Sequence, residues 1–151
     1  MLKILVLVMG LTPLASADLF TGKVVSITDG DTIKLLTPEK ELLRVRLTGI
    51  DAPERKQPYF NRSKQILSDL CFDKPAAVDS LGRDRYQRVL GRVTCDGVDA
   101  NAYMVFQGVA WVYTKYNTDS SLVEYQSKAQ AARKGLWQEP NPVPPWEWRR
   151  K

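Results

Sequence analysis

The sequence of 151 residues contains no histidine. This absence excludes Ser-His-Asp and Cys-His nucleophile mechanisms, histidine general bases and histidine metal ligands. A metal ion in this protein would therefore be held mainly by carboxylate and carbonyl oxygens. Such ligands favour Ca²⁺, Mg²⁺ or Mn²⁺.

Apolar runs long enough to span a bilayer are also missing, although the chain begins with a short apolar run. Lys3 precedes a short apolar run from Ile4 to Leu14, and Ala15-Ser16-Ala17 forms a small-residue cleavage site. The run is too short to span a bilayer comfortably. This three-part pattern predicts a signal peptide over residues 1–17 and a secreted or periplasmic protein. The alternative is a buried N-terminal strand or helix.

Cysteine is scarce, and the sequence has two, Cys71 and Cys95. Both follow the predicted signal peptide, and an even pair in an exported protein suggests one disulfide. Two separately buried thiols are the alternative.

The excess of basic over acidic residues is small. The chain has 22 basic and 17 acidic residues and a formal net charge of +5. This bias suits a polyanionic partner such as nucleic acid, but charge alone does not identify one. The length allows one domain with a real core and is too small for two.

The first part of the chain has the pattern of an antiparallel sheet. β-Branched residues and the turn signal Asp29-Gly30 predict a hairpin, and residues 41–48 alternate between apolar and polar. The predicted strands are residues 22–28, 32–36, 41–48, 76–80 and 89–94. A short apolar segment covers residues 109–113.

Helical spacing of apolar residues appears in three further segments. The predicted helices are residues 61–70, a short helix that Asp99 or Asn101 caps and that runs to Gln107, and a last helix from Ser120 or Ser121 to Leu136. This order fits an α+β, mainly β protein with a five-stranded OB-fold (Greek-key) barrel and about three helices.

Domain boundaries follow from the same patterns. The barrel and its helices would occupy residues 18–138. Residues 139–151 contain four prolines and the Trp146-Glu147-Trp148 pair, and we expect an extended tail there. The tryptophans either pack back on the domain or contact a partner.

Two acidic turns carry the candidate chemistry. A hairpin accounts for Asp29 and Gly30, but few turns require a second carboxylate such as Asp31. Asp51 and Glu54 follow the third strand on a loop that Pro53 stiffens. Each turn alone could be a solvated loop. Three carboxylates on loops of one small barrel can instead converge on a hard cation.

Two arginines accompany these acids. Arg46 lies five residues before Asp51 on the polar face of its strand. It could be a surface charge or an ion-pair partner of Asp51 or Glu54. Arg88 ends the charged loop that begins at Arg83, and the sequence does not place it beside Arg46.

The motifs occur in the order DGDT, RLTGIDAPE, DRYQR and GVAWVY, followed by a closing helix. This series resembles the staphylococcal nuclease family over residues 22–137. The resemblance implies the OB-fold barrel and a calcium-dependent endonuclease that hydrolyses DNA and RNA with little sequence specificity. Bond cleavage would leave 3′-phosphate ends, and we expect a monomer that does not bind membranes after signal cleavage.

The resemblance also implies a role for each site residue. Asp31 and Asp51 would be carboxylate ligands of Ca²⁺, and Ala52 would add its backbone carbonyl. Glu54 matches the general base that activates water. Two arginines would contact the phosphate and the transition state, namely Arg46 and Arg88.

One departure from the family pattern affects Arg88. Gln87 replaces a common glycine, and a positive φ there would strain the loop and could misplace the arginine. The two other function classes are an inactive OB module that binds nucleic acid, and an interaction protein that uses the Trp/Pro tail. Neither accounts for the complete set of acids and arginines.

Overall fold

The computed structural model describes residues 18–151. The predicted signal peptide, residues 1–17, lies outside this part of the chain. Within the described part, no helix combines the length and the apolar character needed to cross a membrane.

The described chain folds into eight strands, four α-helices and one 3₁₀-helix. The strands are β1 (Asp18–Asp29), β2 (Thr32–Leu36), β3 (Leu42–Leu47), β4 (Ile50–Asp51), β5 (Pro75–Arg83), β6 (Val89–Cys95), β7 (Val98–Asp99) and β8 (Trp111–Val112). The α-helices are α1 (Phe60–Cys71), α2 (Ala100–Phe106), α3 (Ser120–Ala131) and α4 (Pro145–Trp148), and the 3₁₀-helix is Gly135–Gln138.

Five long strands close into a mixed barrel. Strand β1 pairs with β2 and β5, β2 pairs with β3, and β5 pairs with β6, all antiparallel. The barrel closes where β3 runs parallel to β6, with Val45 opposite Val89. Strands β4 and β8 form a separate two-stranded ladder. The predicted OB-fold barrel is confirmed.

The alternation in β3 determines which residues face the site. Leu43, Val45 and Leu47 are buried in the barrel core. Because side chains alternate along a strand, Arg44 and Arg46 point to the opposite face. The strand therefore places Arg46 outside the apolar core, at the same level as the β1–β2 turn, since it pairs with Thr32.

A disulfide connects the barrel to its first helix. Cys71 at the end of α1 is bonded to Cys95 at the end of β6, and both residues are fully buried. The predicted disulfide is confirmed. It joins the C-terminal end of α1 covalently to the end of β6.

The last helix is shorter than predicted. The apolar stripe predicted a helix as far as Leu136, but α3 ends at Ala131. Arg133 and Gly135 have φ values of 50° and 53°, which end the right-handed helix. Leu136 remains buried because the 3₁₀-helix returns it to the core. The prediction missed this change of direction because the apolar spacing continues through it.

The tail is only partly extended. Residues 145–148 form α4, with Pro145 in the first turn, where proline is compatible with a helix. Trp146 packs on Trp111 and Tyr113, with ring centroids 5.7 and 5.2 Å apart. The tail therefore packs back on the domain.

Candidate active site

The β1–β2 turn brings two carboxylates to one end of the barrel. Asp29 Oδ1 accepts a hydrogen bond from the amide of Asp31 at 3.0 Å. Gly30 between them is buried against α1, and a Cβ at this position would lie 1.8 Å from Ser63 Oγ. Glycine is therefore required for the close approach of the turn to the helix.

A hydrogen bond from a backbone amide to a carboxylate joins the second acidic turn to the first. The amide of Ala52 donates to Asp31 Oδ2 at 2.8 Å, and Thr32 Oγ1 donates to Asp31 Oδ1 at 2.9 Å. Asp31 and Asp51 are almost fully buried. The two turns, which are separated in sequence, thus share one compact polar centre.

Arg46 lies between these carboxylates. Its Nε is 3.4 Å from Asp31 Oδ1, and its Nη2 is 3.4 Å from Asp51 Oδ1. The guanidinium also donates to the backbone oxygen of Leu47. The predicted proximity of Arg46, Asp31 and Asp51 is therefore found in the structure.

Burial shifts the pKa values of the carboxyl groups at this centre. Burial, followed by the charge of Asp31, raises the pKa of Asp29 to about 8. Burial raises the pKa of Asp51 to about 6, against hydrogen bonds from Arg149 and the charge of Arg46. Burial also opposes ionisation of Asp31, but Arg46 and the hydrogen bonds to its carboxylate lower its pKa. Burial is the largest cause of both raised pKa values, so Asp29 and Asp51 hold a proton more readily than exposed aspartates do.

The donor chemistry fits a hard cation. Within residues 18–151, no three His, Cys, Asp or Glu side chains form a group that could hold a metal ion. The predicted ligand set has two carboxylates and a carbonyl, so it does not require a third acidic side chain. Asp31 and Asp51 approach the same guanidinium and are buried, and Ala52 adjoins both. Calcium accepts this all-oxygen chemistry.

Glu54 lies at the entrance to this centre. Its side chain is 37% exposed, so that water can reach it. The amide of Glu54 donates to Gln57 Oε1 at 2.9 Å, which fixes the loop before α1. Glu54 and Asp51 are brought together by the guanidinium of Arg149, which contacts both carboxylates.

Arg149 is a site residue that the sequence analysis missed. Its Nη2 is 2.9 Å from Asp51 Oδ2, its Nη1 is 3.2 Å from Asp51 Oδ1, and it also donates to Glu54 Oε1. These acidic partners raise its pKa further, although burial opposes the shift. The tail motif predicted packing, but no spacing rule connects residue 149 with residues 51 and 54.

Asp29 was also not recognised as part of the site, because a hairpin turn already accounts for an aspartate before glycine. The unusual DGD pattern, with two acids around one glycine, was the available signal. In the structure, the carboxylate of Asp29 stands beside that of Asp31 and is sensitive to its charge.

Arg88 is close to the site in the fold but does not contact its carboxylates. The parallel pairing of β3 with β6 places the start of β6 beside β3. Arg88 Nε donates to Asp84 Oδ2 at 2.8 Å, and the Arg88 amide donates to Asp84 Oδ1 at 2.9 Å. No ion pair joins Arg88 to Asp31, Asp51 or Glu54 within the described chain. The strand pairing therefore places the Arg88 loop near the strand of Arg46, which the sequence alone did not establish.

The loop before Arg88 has the strained residue that the sequence analysis anticipated. Gln87 has a φ of 64°, in the left-handed region that glycine adopts without cost. The loop is closed by hydrogen bonds between Asp84 and residues 86–88. Arg88 is therefore held in a defined position despite the glutamine.

One tyrosine, Tyr113, lies at the acidic centre. The hydroxyl of Tyr113 is 3.4 Å from Arg149 Nη2, and its ring stacks on Trp146. Tyr116 packs edge-on against Tyr113 and is 60% exposed. Tyr86 lies on the Arg88 loop, where Arg85 and Arg88 approach its ring.

Comparisons with known proteins identify the family of this chain. The family described as "Staphylococcal nuclease homologue" matches residues 44–139. An "Uncharacterized endonuclease" of Escherichia coli is 44% identical over 140 residues, covering 92% of this chain and 90% of that protein. A "Micrococcal nuclease" of Shigella flexneri is 42% identical over 142 residues, covering 87% and 81% of the two chains. With the barrel and the acidic centre in place, the chain belongs to the staphylococcal nuclease homologue family.

Proposed function

We propose that this protein is a calcium-dependent endonuclease that hydrolyses phosphodiester bonds in DNA and RNA with little sequence specificity. The observation that carries the proposal is the convergence of Asp31 and Asp51 on Arg46, with Glu54 at the exposed edge. Family membership supports the nuclease activity. The buried carboxylate oxygens of Asp31 and Asp51 support the requirement for a hard cation.

Each side chain has a chemical task in this mechanism. A calcium ion held by Asp31, Asp51 and the Ala52 carbonyl would neutralise charge on the phosphate and orient it. Glu54 accepts a proton from the attacking water, because it is the accessible carboxylate beside the buried pair.

The arginines stabilise the transition state. Hydrolysis concentrates negative charge on the phosphoryl oxygens, and planar guanidinium groups match these oxygens with paired hydrogen bonds. Arg46 already lies at the acidic centre. Arg88 reaches the phosphate by exchanging its contact with Asp84, and the neighbouring strand keeps it within the same face of the barrel. Cleavage of the P–O bond to the 5′-oxygen leaves a 3′-phosphate, and the departing 5′-oxygen takes up a proton to become a free 5′-hydroxyl.

The experiment is a digestion of plasmid DNA, single-stranded DNA and RNA with Ca²⁺ and with excess chelator. We expect cleavage of both nucleic acids with Ca²⁺, loss of cleavage with chelator, and 3′-phosphate ends. Full activity in chelator contradicts the mechanism. Binding without cleavage identifies an inactive OB module instead.

The role of Glu54 has its own test. Glu54→Gln retains the size and polarity of the side chain but removes its basicity. We expect turnover to fall heavily while substrate binding is largely retained. A rise in KM with unchanged kcat would assign Glu54 to binding rather than to proton transfer.

We also propose export to the periplasm or the medium as a monomer. The bridge between Cys71 and Cys95 supports an oxidising compartment. Native mass spectrometry of the exported protein tests both parts of this proposal, since a monomer should have the mass of one mature chain. We expect a mature chain that begins at Asp18 and contains no free thiol.

A further inference from the structure

The guanidinium of Arg149 occupies the region between the carboxylates proposed for metal binding and for proton transfer. It forms a two-point contact with Asp51 and a further hydrogen bond with Glu54. Arg46 approaches the same Oδ1 of Asp51 at 3.4 Å. Two arginines, one from the barrel and one from the tail, thus meet at one carboxylate.

The tail is anchored independently of this ion pair. Trp146 stacks on Tyr113 with an interplanar angle of 10° and packs against Trp111. Pro145 at the start of α4 is buried. These contacts lie before Arg149 in the chain, so its backbone remains at the site when the guanidinium changes partners.

Gln57 connects the tail to the loop that carries Glu54. Its Nε2 donates to the backbone oxygen of Val143 at 2.7 Å, while its Oε1 accepts from the amide of Glu54 at 2.9 Å. The tail and the Glu54 loop are therefore positioned by the same side chain. This arrangement places Arg149 relative to Glu54 rather than leaving it at a mobile chain end.

A metal ion bound by Asp51 would compete with Arg149. The guanidinium contacts both carboxylate oxygens, so a cation on the same oxygens would meet its positive charge and favour its displacement. The displaced guanidinium has an anchored backbone and the Tyr113 ring beside it. A phosphodiester bound at the same centre would be the nearest alternative anion for this guanidinium. Guanidinium groups bind phosphate oxygens through paired hydrogen bonds.

We propose that Arg149 is a third phosphate-binding arginine, which the C-terminal tail supplies and which rests on Asp51 and Glu54 until a metal ion and a phosphodiester replace it. This inference rests on the proposed function. It adds a substrate-contacting residue outside the barrel. It also assigns the Trp/Pro tail to the active site.

The test compares Arg149→Gln and Arg149→Lys with the wild-type chain. Arg150→Gln is the matched control, since Arg150 is the exposed neighbour and its side chain forms no ion pair with residues 18–151. Ca²⁺ binding is measured by titration calorimetry without nucleic acid. KM and kcat are measured with a short single-stranded DNA, and thermal unfolding verifies that each variant is folded.

We expect Arg149→Gln to bind Ca²⁺ about fivefold more tightly, because an arginine no longer competes for Asp51. Its KM for DNA should rise about tenfold or more, since a charged donor to the phosphate is lost. Arg149→Lys retains the charge without the planar fork and should recover part of the KM. Arg150→Gln should match the wild type in both measurements.

Two results overturn the inference while leaving the proposed function intact. Tighter Ca²⁺ binding with unchanged KM makes Arg149 only an inhibitor of metal binding. Unchanged Ca²⁺ binding and unchanged KM make the tail only structural. If the wild type binds Ca²⁺ but cleaves no nucleic acid, the proposed function fails and the inference fails with it.

Discussion

The two arginines implied by the family resemblance differ in the number of carboxylates that surround them. Arg46 faces several carboxylates at the acidic centre, where burial raises the pKa of Asp51 to about 6. Arg88 faces the single carboxylate of Asp84. Burial disfavours ionisation of Asp84 as well, but hydrogen bonds from the amide and side chain of Arg88 lower its pKa.

The difference distinguishes a site that can bind a cation from an ion pair that positions one arginine. An arginine matched by one well-bonded carboxylate forms a neutral pair, in which the carboxylate fixes the position of the arginine. Carboxylates in excess of their arginines retain negative charge that a cation can neutralise. The acidic centre therefore fits a metal ion, whereas the Asp84–Arg88 pair fits a role in holding an arginine ready.

The largest effect should come from Arg46→Ala. Under the proposed mechanism, its removal takes a charged donor from the phosphate, and it also leaves two buried carboxylates without their shared partner. We expect kcat/KM with Ca²⁺ to fall on the order of 10³-fold or more. The control is Arg62→Ala, an exposed position on α1, which should retain wild-type kinetics. Equal losses in the two variants would show that general basic charge, rather than the position of Arg46, determines the rate.

Arg88→Ala should have the next largest effect. Because Arg88 is not part of the acidic centre in the free protein, its removal should leave Ca²⁺ affinity unchanged. Turnover should fall on the order of 10²–10³-fold, as expected for one lost donor. Arg85→Ala, in the same loop, is the control and should be nearly neutral. If Arg85 proves as important as Arg88, the motif has been aligned incorrectly.

Gln87→Gly tests the strain in the loop that holds Arg88. Gln87 has a φ of 64°, and glycine removes the steric cost of this conformation. We expect the free energy of unfolding to increase by about 0.5–1 kcal/mol, measured by urea denaturation, after the entropy of glycine is offset. Gln107→Gly is the matched control, since Gln107 has a φ of −76°. That substitution should be destabilising, and a similar gain in both variants would refute the strain argument.

Asp84→Asn should have the smallest effect and a distinctive pH dependence. The folded-state pKa of Asp84 lies below its ordinary value of 3.8. Its ionised form therefore stabilises the fold above about pH 4, and this stabilisation is lost as the pH falls through the folded-state pKa. At pH 6 we expect the free energy of unfolding of the wild type to exceed that of Asp84→Asn by on the order of 0.5 kcal/mol, as for other partly exposed ion pairs.

The same comparison at lower pH provides the check. Urea denaturation of both proteins at a series of pH values below 4 should show the difference shrinking as Asp84 becomes protonated. A difference that is independent of pH would mean that the amide and the carboxylate hold Arg88 equally well.

Local patterns were sufficient for most of the fold. The alternation of Leu43, Val45 and Leu47 identified the buried face of β3, and Asp29-Gly30 marked the first hairpin. Both signals depend on interactions within a few residues, so they are visible in the chain itself. The last helix was predicted too long because apolar spacing continues to Leu136 while the backbone turns at Arg133.

The sequence by itself determined the chemistry of the site, because the types and order of the acids and arginines are local features. Only the tertiary structure decided which of them meet. The closure of β3 against β6 brings the Arg88 loop beside the strand of Arg46, over more than 40 residues of chain. Docking of the tail brings Arg149 to Asp51, 98 residues away. Such contacts depend on packing between distant elements, which no short-range pattern encodes.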